Sequence, residues 1–178
     1  MPDNTVSAAP RPIDVADPSG VNASFREALS HFCSGVVVVT AIDTAARPVG
    51  MTVGSFTSIS LEPALVGFCA GATSTTLPHI ASAGHFCVNV LAEDQSELAR
   101  NFAVRGAAKF AGTIWAPGRN AAPRLSGAHA WIECAVASQQ SIGDHELVVG
   151  AVSALSVPRG NEPLVFHRSV FHGLQVCR

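Results

Sequence analysis

The chain has 178 residues, enough for one domain whose core can bury roughly 70% of the unfolded-chain surface. Hydrophobic residues make up 48% of it, charged residues 13%, and the mean hydropathy is +0.32, which excludes disorder over most of the length. A net charge of -2, with no basic run, lacks the footprint of a nucleic-acid binder, and no apolar run approaches the roughly 20 residues of a membrane span.

Residues 1–20 hold four prolines and few large apolar side chains, so they read as a flexible arm ahead of a single domain over residues 21–178. Met1 to Asn4 has neither the basic nor the apolar region of a signal peptide. The five cysteines (Cys33, Cys69, Cys87, Cys134, Cys177) are odd in number and scattered, as in a cytoplasmic protein with reduced thiols; Cys33, Cys87 and Cys134 read as core residues.

Asn22 reads as an N-cap, and Phe25, Ala28, Leu29 and Phe32 fall at the spacing of one buried helix face, which should end at Gly35. Val36 to Ile42 is β-branched almost throughout. The turn residues Asp43 to Pro48 then lead into a second extended run, Val49 to Leu61, so the pair reads as a hairpin. A short apolar strand, Ala64 to Ala70, follows. Thr73 to Thr76 precedes a short helix ending at Gly84, and His85 to Leu91 is a further strand. Gln95 to Phe102 reads as a helix opened by Glu93 and Asp94.

Val104 to Pro123 has no period and carries several Gly and Pro residues, as in a long surface loop with small extended pieces. Ala128 to Ser141 and Glu146 to Val157 are two strong strand patterns joined by a turn at Gly143-Asp144. Six or seven strands linked by turns, against three short helices, favour a mainly β fold, an antiparallel barrel or sandwich. Trp115 and Trp131 read as packing residues.

Several chemistries are absent. No two glycines stand two apart, so a dinucleotide fingerprint is missing, and no Gly-Lys pair offers a phosphate loop. Cysteine spacing and the lack of His-Glu-x-x-His leave no zinc motif, and no Gly-x-Ser-x-Gly elbow occurs. The positive signal is Gly50 to Pro63, where five hydroxyls and two glycines lie within eleven positions of an extended run. On strand alternation Thr52, Gly54, Phe56 and Ser58 face one way and Val53, Ser55, Thr57 and Ile59 the other. An edge strand with solvated hydroxyls is one reading. A cradle of hydroxyls and open N–H groups for a planar anionic ligand is the other.

Phe25-Arg26, Gly35 to Thr40, Gly50 to Pro63, Phe86 to Leu91, Lys109-Phe110 and Gly143-Asp144-His145 stand in an order and spacing that resembles the flavin reductase family. These are small NAD(P)H:flavin oxidoreductases that serve two-component monooxygenases, and the resemblance runs from about residue 22 to 174. It implies an antiparallel FMN-binding split β-barrel with a few short flanking helices. It also implies FMN or FAD as flavin, NADH in preference to NADPH as donor, a homodimer, and a separate monooxygenase that receives the reduced flavin.

The resemblance further implies site residues. Pro48, Val49, Gly50, Met51, Thr52, Gly54 and Ser55 match the strand along which the flavin lies, and Cys69, Ala70, Gly71, Thr75 and Thr76 match positions near its phosphate. Asn101 with Phe102, and Lys109 with Phe110, match two further flavin-contacting pairs. Phe166, His167, Arg168 and Ser169 match part of a nicotinamide site. Gly54 departs from the Asn or Gln common in the family, and Thr75 stands near a position that is commonly basic, which bears on polar contacts to the flavin.

By residue type alone His145 and Asp144 are turn residues. The resemblance places His145 beside the nicotinamide as the catalytic residue, acting by positioning, because the cofactors carry hydride transfer themselves. No metal is implied. Two other readings are a flavin-binding barrel without turnover, for storage or sensing, and an interaction protein that uses its apolar surplus as an interface.

Overall fold

The structure, a computed structural model, describes residues 21–106, 108–157, 160 and 162–174; the expected N-terminal arm and Cys177 lie outside them. In chain order the described elements begin with α1 (Val21–Ser30), β1 (Ser34–Gly35), β2 (Val37–Ile42), β3 (Pro48–Val53), β4 (Thr57–Leu61) and β5 (Ala64–Gly71). Next come α2 (Leu77–Ala83), β6 (His85–Val90), α3 (Ser96–Ala103), β7 (Trp115–Pro117) and β8 (Pro123–Leu125). The chain closes with β9 (Ala130–Ile142), β10 (His145–Ser156), β11 (Val165–His167) and β12 (Val170–His172).

Seven strands form one antiparallel sheet in the order β3-β2-β6-β9-β10-β5-β4, with β1-β11-β12 and β7-β8 as smaller sheets. The large sheet curls on itself without closing. β3 and β5 stand first and sixth in the order, yet Ser55, just beyond β3, bonds the backbone of Cys69 on β5 at 2.9 Å in both directions. One side chain thus crosses the gap where a barrel would have a backbone ladder, which is the architecture of a split barrel.

The valine run of β2 follows from burial on both faces. Val37, Val39 and Ala41 point into the barrel core with Phe68, Phe86 and Val148, while Val36 and Val38 join a second core with Leu91, Ala99, Phe102 and Leu125. A strand buried on both sides has no polar face to alternate. Helix α2 plugs the first core with Leu77 and Ile80, and α3 covers the second with Ala99 and Phe102. Trp115 packs against that second core, and Trp131 Nε1 donates to Leu125 O at 3.0 Å. A buried amide ties the sheet to β8: Asn89 Nδ2 donates to Val38 O at 3.1 Å, and Asn89 Oδ1 accepts from Leu125 N at 2.7 Å.

Several expectations need correction. The extended run Val49 to Leu61 breaks at Gly54–Phe56, and its second half, β4, pairs with β5 at the opposite edge of the sheet, so face alternation does not carry across the break. The first helix begins at Val21, which puts Asn22 inside it, and ends at Ser30, leaving Phe32 beyond it. Its apolar face is not buried in this chain: Phe25, Leu29 and Phe32 are all exposed, Phe32 by 76%. Cys33 is exposed, whereas Cys87 and Cys134 are buried as expected. The described residues hold twelve strands, five of them of two or three residues, including β11 and β12 beyond Val157.

Candidate functional site

A groove runs along β3. Its larger part, 530 Å³, is lined by Arg47, Pro48, Val49, Gly50, Thr75, Thr76, His79, Gly106 and Ala108 to Ala111. A smaller part of 190 Å³ adjoins it, where Met51, Thr52, Gly71 and Thr73 to Thr76 face Phe102 to Arg105 and Lys109. One wall is therefore β3, the second is the β5–α2 turn, and the third is the end of α3 with the loop that follows.

Each wall has a local cause. In the β5–α2 turn, Ser74 Oγ accepts the N–H groups of Thr76 and Leu77 at 3.3 and 3.2 Å, opening the helix. The loop after α3 is pinned by Asn101, whose Nδ2 donates to Lys109 O at 2.7 Å, and by Thr113 Oγ1 on the same carbonyl at 3.1 Å. Across the mouth, Arg105 Nη2 donates to Thr73 Oγ1 at 2.9 Å and bridges the second and third walls.

Lys109 is half-buried, and its Nζ donates to Gly50 O and Phe102 O at 3.1 and 3.0 Å. Burial holds its ammonium below the usual lysine range. Among the described residues it has no carboxylate partner, and none of the described lining residues of either part is acidic. The groove therefore favours an anion.

The hydroxyls divide into two sets. Thr52 Oγ1 donates to Ala99 O at 2.6 Å and Ser55 is taken by Cys69, so both serve the fold. Thr75 and Thr76 make no side-chain hydrogen bond among the described residues and face the groove.

The structure thus brings together Pro48, Val49, Gly50, Met51, Thr52, Gly71, Thr75, Thr76, Phe102, Lys109 and Phe110. Asn101 lies behind them. Gly54 and Ser55 sit past the end of β3, Cys69 is half-buried and Ala70 belongs to the core. His145 starts β10 opposite Gly71, and Ala72 N donates to Asp144 O at 2.9 Å, which sets the hairpin tip beside the groove. His145 Nδ1 lies 2.7 Å from Asp144 Oδ1; this bond, ahead of the attraction between the two charges, holds the Asp144 carboxyl below its usual range.

Phe166, His167, Arg168 and Ser169 do not line the groove. Phe166 and His167 lie on β11, Arg168 and Ser169 form the turn to β12, and His167 borders a separate depression with His31, Cys33 and His172. Among the described residues no group of His, Cys, Asp or Glu is arranged to hold a metal ion. Arg47, His79, Thr73, Ser74 and Arg105 line the groove without having been singled out in the sequence. Arg47 immediately precedes Pro48 at the strand start, and His79 stands one helical turn from Thr76, so both were within reach of the spacing.

This sequence and this fold have close counterparts. A family model described as "Flavin reductase like domain" matches residues 29–175, and the chain belongs to that family. It is 42% identical over 149 residues to "Flavin reductase" of Pseudomonas putida, covering 84% of this chain and 88% of that one. It is also 42% identical over 151 residues to "Flavin-dependent monooxygenase, reductase subunit HsaB" of Rhodococcus jostii, covering 85% and 77%. Among solved structures it resembles the Streptomyces globisporus C-1027 NADH:FAD oxidoreductase SgcE6 in complex with NAD and FAD fragments. The TM-score is 0.84 at 31% identity, over 93% of this chain and 98% of that one.

Proposed function

We propose that the protein is an NADH-dependent flavin reductase that supplies reduced FMN or FAD to a separate monooxygenase. The observation that carries the reading is the groove along β3: a main-chain wall, apolar flanks at Val49, Met51 and Phe110, free hydroxyls at Thr75 and Thr76, and the cationic Lys109 with no acidic lining residue among those described. That donor set suits a planar ring system with a phosphate-bearing chain. The two cofactors supply the redox chemistry, a hydride passing from nicotinamide C4 to flavin N5.

The work of the chain is positioning. β3 holds the flavin edge through main-chain groups, since the Thr52 hydroxyl is already engaged, and Lys109 and the threonines hold the phosphate. His145, on the hairpin tip beside Gly71, orients the nicotinamide over the groove, with Asp144 fixing its imidazole. The exposed Phe25, Leu29 and Phe32 are an apolar face that a second copy of the chain covers in a homodimer. The Phe166–Ser169 turn reaches a nicotinamide in that assembly or not at all, because within one chain it stands apart from the groove. No helix among the described residues is long and apolar enough to cross a membrane.

Mixing the purified protein with NADH and FMN or FAD, and following the nicotinamide absorbance, tests the reading. Flavin-dependent NADH oxidation is the expected result. Tight flavin retention without oxidation would mark a storage or sensing module instead, and absence of flavin binding would refute the reading.

A further inference from the structure

The outer lip of the groove holds a cluster with no part in the positioning just described. Asp43, directly after β2, is buried, its side chain 1% exposed. Its Oδ1 accepts the N–H groups of Ala45 and Arg47 at 2.9 and 2.8 Å, and its Oδ2 accepts Arg47 Nε and Nη2 at 3.0 and 2.8 Å. The backbone N–H of Arg47 is foremost in holding this carboxyl below its usual range. His79, on α2, brings Nδ1 to 3.7 Å from the same Oδ2. One buried carboxylate therefore binds the side chain of Arg47 and stands beside that of His79 on a second element, and both of those side chains line the larger part of the groove while Asp43 does not.

The fixing has a chemical consequence. Arg47 engages Asp43 through Nε and Nη2, so Nη1 remains for a ligand, and a guanidinium already held in a bidentate pair has little freedom left to lose on binding. With Nδ1 turned toward the carboxylate, Nε2 of the His79 ring faces away from it. The free hydroxyls of Thr75 and Thr76 line the same part of the groove. A fork, an imidazole and two hydroxyls, with no acidic side chain lining that part of the groove among the described residues, match a phosphate.

We infer that Arg47 and His79, held by Asp43, form a clamp that selects a phosphate-bearing flavin over an unphosphorylated one. The inference rests on the flavin reading above. Asp43 is a positioning residue in it, because it acts only through the other two.

Fluorescence-quenching titrations of riboflavin and FMN against the intact protein and its variants test it. The unmodified protein binds FMN about tenfold more tightly than riboflavin, the scale of a charge-assisted pair of hydrogen bonds. In the double variant Arg47→Ala, His79→Gln the FMN preference falls by about threefold or more, leaving the part that Lys109 and the threonines supply, with riboflavin affinity unchanged; that retained affinity shows an intact groove. Arg47→Lys restores part of the lost preference, and Asp43→Asn lowers it with riboflavin unaffected. An FMN preference as large in the double variant as in the parent, or a riboflavin loss as large as the FMN loss, overturns the inference while leaving the flavin reading standing. Failure of the unmodified protein to bind either flavin removes both.

Discussion

Gly50 and Phe102 share one space. A Cβ on Gly50 would lie 2.8 Å from Phe102 Cε1, closer than side chains pack, so the ring from α3 rests directly on the backbone of β3. The same two residues present their carbonyls to Lys109. Packing and polar structure of the groove floor are thus one arrangement.

Gly50→Ala forces that ring aside. An overpacked core position costs about 1–3 kcal/mol. Urea unfolding should show a loss in that range, and flavin affinity should fall with it because the floor has moved. A variant as stable as the parent would mean that the ring moves without resistance.

Lys109 gives a pH signature. Its folded-state value is lowered from the ordinary 10.5, so the unfolded chain holds the proton more tightly, and burial of the ammonium is a liability that fades as pH rises toward 10.5. Lys109→Met removes that liability. The difference in urea midpoint between parent and variant should shift in favour of the parent between neutral pH and about 10.5. Lys109 is the one lysine and the chain has no tyrosine, so few other groups blur the comparison. A difference that does not change with pH would contradict the desolvated lysine.

The buried thiols act with the opposite sign. Burial, reinforced by the nearby Glu133 carboxylate, pushes Cys87 and Cys134 up to about 12 from an ordinary 9.0. Their contribution is complete below pH 9 and is lost as pH climbs toward 12, since only the unfolded chain releases the protons there. At pH 8, iodoacetamide followed by peptide mass mapping should modify Cys33 in the native protein and spare Cys87 and Cys134. Rapid labelling of the latter two would show that the barrel opens readily.

His145→Ala separates binding from turnover. NADH-driven flavin reduction should slow by roughly tenfold or more, while the flavin dissociation constant changes by less than about threefold, because the residue lies at the lip of the groove and not in its wall. The reverse pattern would remove its proposed role toward the nicotinamide.

The apolar face at α1 predicts an assembly. Burying a large apolar side chain contributes about 1.5–3 kcal/mol, and three lie together here. Sedimentation should give twice the 18.4 kDa chain mass, and Phe32→Asp should shift it to the monomer. A parent protein that sediments as a monomer would refute the homodimer.

The fold was legible where the sequence pattern is local. The β2 valines, the β9–β10 hairpin at Gly143-Asp144 and the stop of α2 at Gly84, which adopts a left-handed φ of 73°, all follow from residue type and short spacing. It was illegible where a partner distant in sequence decides. Ser55 leaves the line of β3 because Cys69 captures its hydroxyl, and nothing in Val49 to Leu61 marks that exchange. The three-residue strands β11 and β12 are too short to show a period. Within the groove, the β3 side was readable through its resemblance, whereas His79 comes to the lip because Leu77 and Ile80 dock α2 in a core built by residues distant in sequence.

The bridge from Arg105 to Thr73 bears on how long a guest stays. It is one exposed hydrogen bond, worth about 0.5–1.5 kcal/mol net. The loop behind it is pinned separately, through Lys109 O to Asn101 and Thr113 and through Lys109 Nζ to Gly50 and Phe102, so the walls stay in place when the mouth opens. A bond that weak is no door, so in the proposed reading the residence time of a flavin is set by the guest's own contacts, which change when it is reduced.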